Sequence, residues 1–162
     1  MFWTVLLLFA QAALAQTQTE RGENLFFNTE KGCGGCHALK GKGTAVGPDL
    51  TGIGRLAPAA IAMAARSTVT QYVEVIKVKD GDSFPAYIAS KDGDNVTVFD
   101  LSKQPPAKKV LAATAFTKSG NDTWKHPPAV TKIDNKDLAD IIAYIRFAAS
   151  GAKKAVDPSE VQ

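Results

Sequence analysis

Residues 33–37 read Cys33-Gly34-Gly35-Cys36-His37, and the rest of the 162-residue chain is best read outward from this CGGCH string. Cysteines at C-x-x-C spacing with a histidine next in line can form thioethers to the two vinyl groups of a haem, leaving the imidazole beneath the iron. The pair alone would also suit a thioredoxin-like redox site or half of a zinc site. Neither needs the following histidine. Zinc would require two further Cys or His ligands, and outside the motif the chain offers only His126. The thioredoxin reading expects a βαβ setting, whereas Gly32 to Gly35 is glycine-rich and follows a short amphipathic segment. The motif therefore predicts one covalent haem c on Cys33 and Cys36, with His37 as an axial ligand.

Upstream, Glu20 to Asn28 places Gly22, Leu25 and Phe26 at helical spacing, and Gly22 would let another helix approach closely. Downstream, ALKGKGTAVGPDLTGIGR is loop-like and suited to wrapping a flat cofactor. Pro58 to Arg66 is alanine-rich with proline at its start, the pattern of a short helix. The period then changes. Tyr72 to Val78, Phe84 to Ala89, Asn95 to Leu101 and Lys108 to Ala113 read as four strands, with turn signals at Asp80-Gly81 and Asp92-Gly93. Pro85 suggests an edge position for the second of them. The insert over about 71–113 is expected to be a small antiparallel meander. Leu138, Ile141, Ile142 and Ile145 then mark an amphipathic helix capped by Asp134 or Asn135. Residues 151–162 are polar and unpatterned, and are expected to form a flexible tail.

The chain opens MFWTVLLLFAQAALAQ, an apolar run ending in the small-x-small pattern of a cleaved signal peptide over 1–15. It is shorter than the roughly 20 residues that span a bilayer, so membrane association is expected only if the segment is retained. No Lys or Arg precedes its apolar core. The formal net charge is +3, with basic residues scattered, which argues against nucleic acid and suits a mildly acidic partner surface. The two cysteines would both be consumed by the haem, leaving none for a disulfide.

Taken together, Gly22 and Phe26 before CGGCH, Gly47-Pro48-Asp49-Leu50 after it, and the terminal DLADIIAYI resemble a class I cytochrome c. The resemblance implies that the first and last helices cross through Gly22, Phe26 and Tyr144, and that the Pro48 carbonyl accepts a hydrogen bond from the proximal imidazole. It implies haem attachment outside the cytoplasm, hence a periplasmic or otherwise exported protein. The insert is closer to haem c modules that carry extra strands before a Met-Pro distal motif. Aligning Tyr144 and Ile145 with the family's terminal motif puts His126 at the distal methionine position, followed by Pro127.

Three assignments compete for the sixth ligand. His126 is favoured by that register and by Trp124, Pro127 and Pro128 around it. Met63 is the usual residue type, but it lies at helical spacing in an alanine-rich segment, where methionine is packing material. An open or water-ligated iron is the third. Arg55 is a candidate partner for a haem propionate, and Lys40 and Lys42 for a positive rim facing a redox partner. The expected fold is mostly α, with cytochrome c-like helices around one haem in a 16–150 domain that carries the β insert. The expected function is single-electron transfer between redox partners by a bis-His monohaem carrier, without enzymatic chemistry. A haem enzyme, a gas sensor with a labile distal site, or a cytochrome subunit of a dehydrogenase or respiratory complex are the alternatives.

Overall fold

The computed structural model describes residues 16–28, 32–66, 70–79, 81–120 and 123–162. The apolar leader and Asp80 of the expected first turn lie outside the described residues. Helix α1 spans Gln18–Phe26, and its start is written in the sequence as Thr17-x-x-Glu20. The Glu20 N–H donates to the Thr17 hydroxyl (3.3 Å), and the Thr17 N–H donates back to the Glu20 carboxylate (2.8 Å). Two otherwise unsatisfied donors are paired by this reciprocal cap. Helix α2 spans Pro58–Arg66 and α3 spans Pro128–Thr131. Helix α4 spans Asn135–Ser150, with Asp134 accepting from the Asp137 N–H at one end and Gly151 at φ 74° closing the other.

α1 and α4 cross at Gly22, where a Cβ would overlap the Asp140 carbonyl and come within 2.9 Å of Tyr144 Cβ. Phe26 stacks edge-on against Tyr144 with ring centroids 5.6 Å apart. The bidentate pair from Arg21 to Asp140 (2.8 and 3.1 Å) bolts the crossing from the side. Around it Phe26, Leu39, Ile141, Tyr144 and Ile145 form one buried cluster. Leu138, Ala139, Ile142 and Ala143 face the other way, onto Ile61 and Ala62 of α2 and onto Val156 and Val161.

Those two valines correct the expected flexible tail. Residues 151–162 return to the core, where Val156 and Val161 are buried and Pro158–Val161 forms a capped 3-10 turn. The Gln18 side-chain amide both donates to the Val156 carbonyl (2.8 Å) and accepts its N–H (3.0 Å). Polar composition misled here because only two apolar side chains anchor the segment, too few to set a period.

The fold class also needs correction: the molecule is mixed α/β, and its sheet is larger than a meander. Strands β1 (Ala38–Leu39) and β2 (Lys42–Gly43) form a small hairpin. Strands β3 (Val73–Val78), β4 (Ser83–Asp92), β5 (Asn95–Asp100), β6 (Ala107–Ala112) and β7 (Phe116–Gly120) form an antiparallel sheet ordered β6-β5-β4-β3-β7. β7 lies beyond the expected end of the insert, and it pairs with β3 rather than with its predecessor. The edges of a flat five-stranded sheet lie about 19 Å apart, yet residues 113–115 must carry the chain from one edge to the other and reach at most about 14 Å. The sheet therefore coils into a partly closed barrel around Ile76, Phe84, Ala86, Val96 and Val98.

Pro85 is not at an edge, since β4 is the central strand. Its carbonyl accepts the Leu101 N–H (2.9 Å), just past the end of β5. A strand residue's N and C=O point the same way, so the missing donor faces the place where the neighbouring strand stops. Inside the barrel, buried Asp100 is satisfied by Lys109 Nζ (2.8 Å) and by the Ser102 hydroxyl (2.6 Å) and N–H (3.0 Å).

Candidate functional site

The CGGCH string folds as one tight turn, with Cys33–Gly35 in 3-10 conformation. The Cys33 carbonyl accepts the N–H groups of Cys36 (3.1 Å) and His37 (2.8 Å). Positions i, i+3 and i+4 of such a turn share a side, which brings both thiols and the imidazole to one face. Gly34 is buried beneath them, where a Cβ would press on the Phe27 ring at 2.7 Å. Before attachment, burial pushes the Cys33 thiol up to about 11 and raises that of Cys36 as well.

The loop after β2 wraps this turn. Val46 and Gly47 both donate to the Cys36 carbonyl (3.0 and 2.7 Å), and Leu50 donates to Ala38 (2.8 Å). Gly47 is pressed so close to the ring of His37 that a Cβ would stand 2.7 Å from Cε1 and 3.0 Å from Nδ1. Its neighbour Pro48 presents its carbonyl oxygen 2.7 Å from His37 Nδ1. A carbonyl only accepts, so Nδ1 carries the proton and Nε2 keeps its lone pair. Burial lowers the pKa of His37, against opposing contributions from Pro48 and Asp49, and favours the neutral ring that a metal requires.

Across from it, the segment Thr123 to Pro127 brings up His126. The two imidazole centroids lie 6.2 Å apart at an interplanar angle of 43°. Trp124 packs on the His126 ring at 5.6 Å. Burial, and then the charge of His37, lower the pKa of His126, and its Nδ1 is buried without a hydrogen-bond partner. Residues 126 and 37 are 89 positions apart in sequence, yet they are the two imidazoles of the molecule and they face one space.

A metal fits that space. Imidazole nitrogens bind first-row metals at about 2.0–2.1 Å, so two rings on opposite sides of one ion have centroids roughly 6.3 Å apart. Among the described residues no group of three or more His, Cys, Asp or Glu side chains converges, so the remaining ligands would come from the planar group itself. His37 and His126 would hold the iron, and Cys33 and Cys36 would hold the haem covalently.

Met63 is 69% exposed on α2. Arg55 ends the 3-10 turn Gly52–Arg55 and is exposed, as are Lys40 and Lys42. Sequence reasoning quoted Gly47 only as part of the Gly47-Pro48-Asp49-Leu50 string, without its contact to the His37 ring, and it missed Arg66. The Arg66 guanidinium donates to the carbonyls of Val161 (2.6 Å) and Ile133 (3.0 Å) and to the Asn135 side chain (2.8 Å). It ties α2, the start of α4 and the C-terminal turn together, through partners 67 to 95 residues away that no local pattern could announce.

A helical frame carrying a C-x-x-C-H turn under a loop-wrapped imidazole defines a c-type haem protein. Residues 19–91 match the family model described as Cytochrome c, and this segment is a cytochrome c family domain. No curated protein matches the chain. The single C-x-x-C-H cysteine pair carries one covalent haem c, and electron transfer is the general role of the domain. Among the described residues no helix is long and apolar enough to cross a membrane.

Proposed function

We propose that this protein is an exported monohaem electron carrier whose iron is held between His37 and His126. The observation that carries the reading is the 6.2 Å separation of two half-buried imidazoles. It is supported by the unpartnered Nδ1 of His126 and by the Pro48 carbonyl that leaves His37 Nε2 available. When bound, the haem supplies the reversible one-electron couple. The chain's own residues fix its position and its ligands: the Cys33–His37 turn supplies the attachment points, Pro48 sets the tautomer of His37, and the loop through Gly47 blocks rotation of that ring. Export is supported by the apolar leader and by the haem attachment itself. The redox partners would be proteins with a mildly acidic docking face, given the +3 net charge and the exposed Lys40 and Lys42 beside the haem turn.

Two imidazoles set a lower potential than the His/Met pair, and for one electron about 59 mV is a tenfold change in equilibrium constant. Wild type and His126→Met are compared in near-infrared absorption of the ferric protein and by redox titration. The variant is expected to gain an iron-to-sulfur charge-transfer band and a higher midpoint. That band in the wild type would refute His126 and reinstate Met63.

A further inference from the structure

We propose that Trp124 is the positioning residue of the distal imidazole, holding the His126 ring by packing where a hydrogen bond would ordinarily do so. The inference rests on His126 as the sixth ligand. Metal-binding histidines commonly donate their second ring N–H to a carboxylate or carbonyl, which fixes ring orientation. His37 follows this rule twice over, with Nδ1 on the Pro48 carbonyl and Gly47 closed against the ring. His126 does not: its Nδ1 is buried and has no partner.

The backbone on the C-terminal side of His126 is well held. The Pro127 carbonyl accepts the N–H groups of Val130 (2.8 Å) and Thr131 (3.1 Å), opening α3 directly after the histidine. These bonds place Cα but leave rotation about the side-chain bonds free. Against that rotation stands the half-buried Trp124 ring, 5.6 Å from the imidazole centroid at 58°. Tilted aromatic pairs at this distance add attraction beyond their buried area. The two histidines are thus secured differently: His37 by hydrogen bonding and the closed Gly47 loop, His126 by an aromatic wall. Trp124 consequently sets how often the distal bond opens, and with it how readily a small neutral ligand can take the sixth position.

The test uses the reduced holoprotein and carbon monoxide, whose entry must wait for His126 to leave. Stopped-flow traces at saturating carbon monoxide give the rate of that departure for wild type, Trp124→Phe and Trp124→Ala, with His126→Ala as reference. His126→Ala is expected to bind in a fast phase proportional to gas concentration, whereas the wild type reaches a concentration-independent limit. Trp124→Ala should raise that limit about tenfold, the scale of one lost aromatic contact, and Trp124→Phe should stay within about twofold of wild type. A limiting rate in Trp124→Ala equal to wild type, with His126→Ala fast, overturns the role of Trp124 and leaves His126 ligation standing. Identical concentration-dependent binding in wild type and His126→Ala overturns the ligation reading itself, and the proposal with it. Should Trp124→Ala fail to accumulate as folded holoprotein, Trp124→Leu, which keeps apolar bulk without a ring face, is judged by the same limit.

Discussion

Gly47→Ala places one methyl group against the proximal imidazole, and its cost can be worked from the geometry. The new Cβ would lie 2.7 Å from His37 Cε1, 3.0 Å from Nδ1 and 3.4 Å from Nε2. Ordinary carbon contacts begin near 3.5 Å, so ring and loop must separate by several tenths of an ångström. Neither side yields readily. The Gly47 N–H is bonded to the Cys36 carbonyl at 2.7 Å, and the ring is bonded to Pro48 at 2.7 Å while its backbone continues the cysteine turn. Overpacking of this kind costs about 1–3 kcal/mol, which for a protein of this size lowers the melting temperature by about 3–10 °C. Thermal unfolding of the holoprotein measures it, with Gly52→Ala as control, because a Cβ at Gly52 meets nothing within 4 Å. The low-spin ferric spectrum of Gly47→Ala should also shift as the imidazole turns. Equal melting temperatures for the two alanine variants would refute the claim that Gly47 is closed against the ring.

At the helix crossing, Gly22→Ala gains about 1 kcal/mol of helix propensity but collides with the main chain of Asp140; denaturant titration should show a net loss of about 1–2 kcal/mol, and a gain would mean that the helices do not touch there. Val161→Ala should cost about 2 kcal/mol through the cavity it leaves, whereas a free tail would make it silent in the same titration. Asp140 is buried, which raises its pKa, but Arg21, Gln18 and Lys136 outweigh that and hold it below the usual 3.8. A depressed carboxylate stabilises the fold above its unfolded pKa and loses that contribution as pH falls through the folded value. The stability gap between wild type and Asp140→Asn should therefore be wide at pH 7 and narrow well below pH 3.8, and a constant gap in urea titrations at both pH values would count against the pair.

The legible part of this protein is the part whose chemistry is local. CGGCH needs only i, i+3 and i+4 positions on one turn, so the haem, its cysteine pair and the proximal imidazole can be read without a fold. The Thr17-Glu20 cap, the Asp134 cap and the Gly22 notch are equally local, and the long helix follows from its period. The Pro48 carbonyl was expected from a family likeness and is found 2.7 Å from His37 Nδ1.

What failed to show in the sequence depended on distant pairing. β7 reads Phe116-Thr-Lys-Ser-Gly, with no apolar alternation, and becomes a strand because β3, some forty residues earlier, offers it an open edge. Pro85 looked like an edge marker because the place where β5 ends is not written near it. The last residues looked loose because Gln18 and Arg66, their anchors, lie more than ninety positions away.

By itself, then, the sequence determined that a haem is held covalently, at which cysteines, and that an amphipathic helix closes the domain. The family likeness pointed to His126 as a candidate through its register, but only the tertiary structure brought it within 6.2 Å of His37 and set Trp124 against it. The reason is physical: a covalent attachment is specified by neighbours along the chain, whereas the opposite face of a flat cofactor must be reached by a segment that arrives from elsewhere, and its arrival is decided by packing.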